Sequence, residues 1–254
     1  AMTDRRQAVL GAAALAVAAA TGASLLRERA ALAPTVAIPS APGFLRLDGA
    51  APVSGAAALT AGLDGGGADL PPLSGAELCA ALFHGTGPGV PVAAFTDYYC
   101  PSCPALAPLL ADPALPPLSV TWHEWPILGP RSEFAARVAL AAAALLPGAE
   151  GHDRVHSALM RRRPRPSPEG AAAAARALGL DPGAVVAALQ SDETDARLRA
   201  TARAARQLGL TGTPSLVMGR VVVSGLPAAR TLRQLARAEA AALRRGGFPC
   251  PGAA

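Results

Sequence analysis

The 254-residue sequence contains no lysine and few aromatic residues, and both shortages limit what the protein can be. All 23 basic residues are arginine, and the formal net charge is only +5. Neither a basic stripe nor interleaved aromatic residues occur, so the sequence gives no support to nucleic-acid binding. The run Arg161-Arg162-Arg163 stands among prolines, which favours a solvated loop over a binding patch. A GC-rich coding bias explains the absence of lysine more simply than a function does.

Aromatic residues make up 4% of the chain, although hydrophobic residues make up 51%. Alanine supplies much of the hydrophobic fraction, which predicts a helix-rich protein with an alanine-packed core. A chain of this length can bury one substantial core, with or without an extension. Stretches rich in glycine and proline cluster before Val90. We therefore predict that the folded domain occupies residues 73–254.

The segment 1–30 is predicted to be an export signal or a membrane anchor. It begins with Arg5-Arg6 and continues as a weakly hydrophobic, alanine-rich run to about Leu26. A positive start, an apolar middle and small residues near the end are typical of a secretory signal, and the paired arginines resemble a twin-arginine signal. The apolar run is also long enough for an uncleaved anchor, and a buried helix is the third alternative. Export would place the cysteines in an oxidising compartment.

Residues 31–72 have the composition of a flexible connector, rich in alanine, glycine and proline. Within this connector only the range 43–49, which contains FLRLDG, alternates like a strand, and we expect it to add an edge to a sheet. The next segment, SGAELCAALFHG, predicts a short helix. Ser74 is its expected N-cap, Glu77 completes a capping box, and Gly85 ends it.

The rest of the chain predicts an ordered series of strands and helices. GVPVAAFTDYY and LSVTWHEWPIL predict two buried strands, and a short helix lies between them. A helical region then covers about 131–208, and TPSLVMG with RVVVSG predicts a β-hairpin turning at Gly219-Arg220. The last helix is expected from about Pro227 to Arg245. This order predicts an α/β protein with a thioredoxin-like fold and an inserted α-helical domain.

Two of the four cysteines, Cys100 and Cys103, form a CxxC pair at the predicted junction of the first strand and its helix. Such a pair can be a metal clip, a structural disulfide or a catalytic dithiol, and the spacing alone does not decide. We expect Cys100 at the helix N-cap, where unpaired N–H groups and the helix dipole favour a thiolate. Pro101 leaves the N–H groups of Ser102 and Cys103 as its donors.

The sequence TGTPSLVMG favours the catalytic alternative. A Thr-Pro pair before a strand, about a hundred residues after a CxxC, is where a thioredoxin fold carries its cis-proline loop. A cis Pro214 would present the Thr213 backbone beside the dithiol, ready to pair with an extended substrate segment. The alternative is an ordinary trans proline at the start of a strand.

The chain from about Val90 to Arg245 resembles the DsbA-like family of bacterial thiol:disulfide oxidoreductases. The motifs that carry the resemblance occur in the family's order: AAFTDYYCPSC, HEWPILGPRSEFAARVALAA, HSALM, RQLGLTGTPSLVMG and VVVSGLP. The resemblance implies that Cys100 is the nucleophile, Cys103 the resolving cysteine and Pro214 the cis-proline. It also implies exchange of disulfides with reduced exported proteins in the periplasm, recycling by a membrane redox partner, and no cofactor. We expect a monomer.

The chain departs from the family pattern at two positions. Related sites often carry an acid six residues before the first cysteine, where this chain has Ala94. Asp97 and Glu124 are the nearest candidates for proton transfer, with a solvated or capping role as the alternative for each, and His123 is more typical of a structural residue. Ser102 stands where the strongest oxidants have histidine, so the choice between oxidase and reductase or isomerase stays open. The irregular segment before the domain is unlike an isomerase's dimerisation segment, which favours an oxidase.

Cys79 and Cys250 are predicted to form a structural disulfide, because an even number of cysteines in an exported protein favours pairing. Two free thiols are the alternative. The competing function is binding of zinc or Cu(I) through the CxxC. Zinc needs four ligands, and neither a second CxxC nor a suitably spaced pair of histidines supplies them, whereas Cu(I) needs only two thiolates. A thioredoxin-fold module that has lost its chemistry is disfavoured by the intact CPSC and Thr-Pro.

Overall fold

The computed structural model describes residues 33–48, 71–84, 87–146, 149–246, 248 and 250. The chain divides into two units after Ala33, and the second unit, Pro34–Ala254, contains the elements described below. The predicted export signal or anchor at 1–30 lies outside the described residues. Within the described part of the chain, no helix combines the length and the apolar character needed to cross a membrane.

Six strands of the described residues form one mixed sheet. The middle strand β3 pairs in parallel with β4 and antiparallel with β5, and all of its residues are buried. A strand enclosed in this way is expected to be a continuous apolar run, as VPVAAFT is. The strands are β1 (Thr35–Ala37), β2 (Leu45–Leu47), β3 (Val90–Thr96), β4 (Leu118–Glu124), β5 (Ser215–Met218) and β6 (Val221–Ser224), in the spatial order β1-β2-β6-β5-β3-β4.

Most of the described helices lie in one block of the chain. The third to the seventh lie between β4 and β5 along the chain and form the helical block, from Pro130 to Gln207, close to the predicted 131–208. The predicted α/β fold with an inserted helical domain is confirmed. The described helices are α1 (Gly75–Leu82), α2 (Leu106–Leu110), α3 (Pro130–Ala144), α4 (Ala149–Arg161), α5 (Pro168–Leu178), α6 (Pro182–Ala188), α7 (Asp192–Gln207) and α8 (Ala229–Arg244).

The helical block has a hydrophobic core made largely of alanine. Methyl side chains let helices approach closely while still filling the space between them. The alanine-packed interior expected from the composition is found here. Its buried members are Tyr98, Ala135, Val138, Ala139, Ala141, Ala142, Val155, Leu159, Ala171, Ala175, Leu178 and Val185.

The prediction of a connector over 31–72 is wrong for its first part. β1 and β2 pair antiparallel, and β2 pairs in parallel with β6, so the strand expected at the edge is an inner strand. The edge strand is β1, whose three residues are all exposed. It has no buried face, so its sequence shows no alternation of polar and apolar residues that would predict a strand. Residues 49–70 lie outside the described part. Four side chains around these strands are buried in the core: Ile38, Ala41, Phe44 and Leu47.

The segment before β3 is fastened to the rest of the domain by specific bonds. Cys79 of α1 and Cys250 form a disulfide, the pairing that the cysteine count favours. The Gln207 side chain donates to the carbonyl oxygens of Ser40 and Leu73 and accepts from the N–H of Leu73. α1 begins with the predicted capping box of Ser74 and Glu77. These bonds and the shared core make the segment part of the folded unit.

Candidate active site

The CPSC motif follows β3 directly, in a turn that precedes the helix. The N–H of Cys100 donates to the carbonyl oxygen of Asp97 at 3.1 Å, so the chain is still in a turn at this cysteine. A 3-10 turn covers Cys103–Ala105, and α2 begins only at Leu106. The prediction that Cys100 is the N-cap of the helix is therefore wrong. Ser102, two residues later, occupies the N-terminal position of the first helical turn.

The register of the sheet brings the CPSC turn to the Thr213-Pro214 loop. Phe95 near the end of β3 pairs with Ser215 at the start of β5, so the residues after one strand meet the residues before the other. The Sγ of Cys100 donates to the carbonyl oxygen of Thr213 at 3.3 Å. The Thr213–Pro214 peptide bond is cis. Cys100 and Cys103 are both unbonded to other cysteines and buried.

The two sulfur atoms of the motif have very different acidities. A hydrogen bond with Cys103 is the main cause that lowers the pKa of Cys100 to about 6; the Thr213 side chain and the N–H groups of Ser102 and Cys103 act in the same direction, against burial. Burial raises the pKa of Cys103 far above its ordinary value, and the neighbouring Cys100 sulfur adds to this rise. At neutral pH Cys100 is therefore a thiolate and Cys103 a thiol.

The Asp97 side chain stabilises the turn that precedes Cys100. Its buried carboxylate accepts three backbone N–H groups, from Tyr99 at 2.7 Å, Ile127 at 3.0 Å and Leu128 at 3.1 Å. Burial raises the pKa of Asp97, while these hydrogen bonds act in the opposite direction. The side chain thus ties the turn before Cys100 to the segment after β4, and both of its oxygens are engaged in doing so.

Glu124, the other candidate acid, lies at the end of β4 in a different environment. Its Oε1 accepts a hydrogen bond from the Tyr98 hydroxyl at 2.8 Å and lies 3.0 Å from Nε2 of His152. Its buried Oε2 has no hydrogen-bond partner among the described residues. In the register of β3 and β4, Trp122 pairs with Ala94, and Glu124 follows Trp122 by two residues, so both point to the same face. Glu124 therefore faces the same side of the sheet as Ala94, the position where related proteins often carry the acid.

His123, which belongs to β4, has a structural environment. Nε2 of His123 lies 2.9 Å from the carbonyl oxygen of Leu82, and its ring stacks on Phe95 with centroids 4.7 Å apart. Burial lowers the pKa of His123 to about 3, so the ring is neutral at ordinary pH. Within the described ranges, no group of three or more His, Cys, Asp or Glu side chains is arranged to hold a metal ion.

Sequence reasoning missed the groove beside the dithiol, because its lining comes from three separate segments: the CPSC turn with α2, the strand β4, and α4. The groove has a volume of about 700 Å³ and lies between α2 and α4. The buried Cys103 is one of its lining residues, and apolar side chains from both helices line it as well. Its lining includes Pro104, Ala107, Pro108, Trp122, Met160 and Arg161.

Comparisons with known proteins agree with this geometry. Residues 91–237, more than half of the chain, match the family model of the DSBA-like thioredoxin domain. The chain is similar to a thioredoxin-like oxidoreductase from Silicibacter pomeroyi DSS-3, with 32% identity, a TM-score of 0.54 and coverage of 63% of this chain and 95% of that chain. It is also similar to a periplasmic thioredoxin-like protein from Salmonella enterica serovar Typhimurium, with 26% identity, a TM-score of 0.54 and coverage of 65% and 96%.

A third likeness concerns the fold alone. The thiol-disulfide exchange protein alpha-DsbA2 from Wolbachia pipientis superposes with a TM-score of 0.55 at 23% identity, covering 63% of this chain and 90% of that chain. No curated protein matches the chain by sequence.

Proposed function

The chain belongs to the DSBA-like thioredoxin domain family, whose members are thiol:disulfide oxidoreductases, and we propose that it is a periplasmic oxidase. It transfers the Cys100–Cys103 disulfide to pairs of cysteines in exported proteins. The proposal rests on the placement of the dithiol, with the Sγ of Cys100 3.3 Å from the carbonyl oxygen of Thr213, and on the inequality of its two sulfurs: the pKa of Cys100 is lowered to about 6 and that of Cys103 is raised. Such a pair has one good attacking and leaving sulfur and one sulfur that holds its proton.

The reaction proceeds in two exchanges. A substrate thiolate attacks the Sγ of Cys100 in the oxidised enzyme, the Cys100–Cys103 bond breaks, and the Cys103 sulfur leaves and takes up a proton. A mixed disulfide between the substrate and Cys100 results. A second substrate thiolate then attacks the substrate sulfur of this bond, and Cys100 leaves as a thiolate. The substrate has lost two electrons, which the enzyme now holds as its reduced dithiol.

The low pKa of Cys100 favours the oxidising direction, because it stabilises the reduced enzyme. A pKa of about 6 in place of the ordinary value of about 8.5 stabilises the reduced form at pH 7 by about 1.4 kcal/mol, which corresponds to about 30 mV for two electrons. Thioredoxin and the strongest oxidant of this fold differ by about 150 mV. The Cys100 thiolate therefore accounts for about a fifth of this difference in reduction potential. A measurement of the potential would decide whether the enzyme oxidises or reduces its substrates.

The proposed location and partners rest on other observations. Arg5-Arg6 and the apolar run after them are typical of an export signal, and the Salmonella relative is described as periplasmic. In the periplasm the reduced dithiol would be recycled by a membrane redox partner that accepts its two electrons. The substrates would be reduced or unfolded exported proteins, and the enzyme would act as a monomer.

Oxidation of a reduced model protein tests the proposal. The oxidised enzyme is mixed with the reduced substrate, and disulfides in the substrate are counted by mass spectrometry after alkylation. We expect stoichiometric transfer by the natural sequence and none by Cys100→Ser. Cys103→Ala, which keeps the nucleophile, should instead form a stable mixed disulfide when it is offered an oxidised substrate. Transfer by Cys100→Ser would overturn the mechanism.

A further inference from the structure

Tyr99, the residue before the nucleophile, lies against two arginines of the helical block. The guanidinium carbon of Arg131 is 4.9 Å from the centroid of the Tyr99 ring, and that of Arg163 is 5.5 Å from it. Arg131 stands in the first turn of α3, whereas Arg163 follows the end of α4. Two distant parts of the helical block therefore bring positive charge to the same side chain.

The arrangement is held by further hydrogen bonds. Nε of Arg163 donates to the carbonyl oxygen of Tyr98, and the Tyr99 hydroxyl donates to the carbonyl oxygen of Pro164 at 3.3 Å. The carboxylate of Asp97 holds the N–H of Tyr99. The loop after α4 is thus fixed to the CPSC turn, and the charges have a defined place beside Cys100.

The positive charge of this region is not neutralised by ion pairs. Five exposed arginines belong to it: Arg131, Arg161, Arg162, Arg163 and Arg165. None of them takes part in the ion pairs found among the described residues. Three acids lie in the same region: Asp97, which holds the N–H of Tyr99, Asp153, which lines the groove with Arg161, and Glu169, which lines a neighbouring hollow with three of the arginines. Five positive charges thus stand against three negative ones.

We propose that this arginine cluster selects substrate segments that carry aspartate or glutamate close to the reacting cysteine. The inference rests on the proposed function and names the substrate class of the same site. A polypeptide whose sulfur reaches Cys100 must pass within a few residues of Tyr99, since the two are adjacent in the chain. An extended segment advances about 3.3 Å per residue, so carboxylates one to three residues from its cysteine come within reach of the guanidinium groups.

The chemistry of arginine suits this role. A guanidinium group stacked on a tyrosine ring keeps its N–H groups free at the edge, where they can bind a carboxylate with two parallel hydrogen bonds. The alternative role is stabilisation of the Cys100 thiolate by the same arginines. Hydrogen bonds from Cys103, the Thr213 side chain and backbone N–H groups lower the pKa of Cys100. Loss of thiolate stabilisation would change the pH profile of Cys100 alkylation in the arginine variants, and loss of substrate selection would not.

The test compares three reduced peptides that differ only in the residues on either side of one cysteine, which are aspartate, asparagine or lysine. Formation of the mixed disulfide with the oxidised enzyme is followed by stopped flow at low and at high salt. The variants are Arg131→Gln, which leaves the Arg163 bond to Tyr98 in place, and Arg131→Gln/Arg163→Gln. Comparing each peptide between enzymes cancels the effect of its own thiol pKa.

Arg244→Gln is the matched control. Arg244 is exposed at the end of α8, beyond Glu239, whose carboxylate accepts the N–H of Arg220 in the β5–β6 turn. The N–H of Gly219 in that turn donates to Pro91 at the start of β3, at the end of the sheet opposite the CPSC motif. The control therefore removes one exposed arginine far from the site.

We expect the natural enzyme to react about 10-fold faster with the aspartate peptide than with the lysine peptide at low salt, and the ratio to fall at high salt. The arginine variants should lower this ratio severalfold, because they slow the aspartate peptide more than the asparagine or lysine peptide; Arg244→Gln should leave the ratio unchanged. A ratio near one, or a ratio unaffected by the variants, would overturn the inference. Equal slowing of all three peptides, with an altered pH profile of Cys100 alkylation, would also overturn it. No reaction with any peptide would instead refute the proposed function, and the inference with it.

Discussion

The Sγ of Cys100 lies 3.3 Å from the carbonyl oxygen of Thr213, although the two residues are 113 positions apart in the chain. The thiol donates a hydrogen bond to that oxygen, but a thiolate can only accept. On ionisation the sulfur therefore exchanges this bond for those offered by the Cys103 thiol and the N–H groups of Ser102 and Cys103. The Thr213 carbonyl is then released beside the reacting sulfur, where an extended substrate backbone can donate to it.

The ionisation of Cys100 is expected to depend on the Cys103 thiol. Alkylation of the reduced enzyme by iodoacetamide should rise with pH around a midpoint of about 6. Cys103→Ala removes the strongest of the hydrogen bonds that stabilise the thiolate, so its midpoint should move upward. Cys103→Ser keeps a donor and should lie between the two. Identical midpoints in all three proteins would show that Cys103 does not stabilise the Cys100 thiolate.

The stability of the reduced enzyme should increase with pH. The pKa of Cys100 is about 6 in the folded protein and about 8.5 in an unfolded chain, so the group stabilises the folded state fully above about pH 8.5 and loses this effect as the pH falls through 6. Between pH 5 and pH 8 the ionisation of Cys100 should raise the free energy of unfolding by about 2–3 kcal/mol. Urea unfolding measures it, with the Cys79–Cys250 bond intact and Cys100→Ser as the reference. If the free energy of unfolding of Cys100→Ser changed with pH in the same way, this account would be contradicted.

The disulfide between Cys79 and Cys250 should contribute strongly to stability, because it closes a loop between residues 171 positions apart. In the entropic model such a crosslink stabilises by about 5 kcal/mol, and measured values are often smaller. The experiment uses Cys100→Ser/Cys103→Ser, so that no other cysteines are present, and adds Cys79→Ser/Cys250→Ser. We expect a lower melting temperature after the second pair of changes. Equal melting temperatures would mean that the bond is absent or without effect.

Asp97 and Glu124 should respond differently to neutralisation. Asp97→Ala leaves three N–H groups without their acceptor, so we expect a loss of about 2–4 kcal/mol in the free energy of unfolding. Glu124→Gln keeps an acceptor for Tyr98 but cannot exchange a proton. If Glu124 is the proton-transfer acid, this variant should form the mixed disulfide at least about 10-fold more slowly, with a changed pH profile. Unchanged kinetics would remove Glu124 from that role.

The chemistry of the site was predictable because its motifs lie at the boundaries of elements with strong local patterns. CPSC follows a buried apolar strand, and Thr213-Pro214 precedes another, so the strand pairing alone brings them together. The start of the helix was not predictable from the same pattern. The N–H of Cys100 closes a turn with the carbonyl oxygen of Asp97, and a 3-10 turn precedes Leu106. Both turns depend on backbone hydrogen bonds, which the periodicity of apolar residues does not predict.

Features that depend on the packing of distant segments were beyond the sequence. The sequence predicts a solvated loop for the run of arginines; all three are exposed, but Arg161 is the last residue of α4. Only the docking of the helical block places Arg163 and Arg131 on Tyr99. β1 was missed because an edge strand of three exposed residues has neither a buried face nor a turn signal. Its position follows from pairing with β2, which is a tertiary property.

The reduction potential of the Cys100–Cys103 couple, measured against glutathione, tests the proposed oxidase most directly. The oxidised and reduced fractions are determined after acid quenching and alkylation, over a series of glutathione ratios at pH 7, with Cys79 and Cys250 remaining bonded. The proposed oxidase predicts a value nearer to about −120 mV than to about −270 mV, and the stabilised Cys100 thiolate accounts for about 30 mV of that difference. A value near −270 mV would contradict the proposed oxidase and identify the enzyme as a reductant.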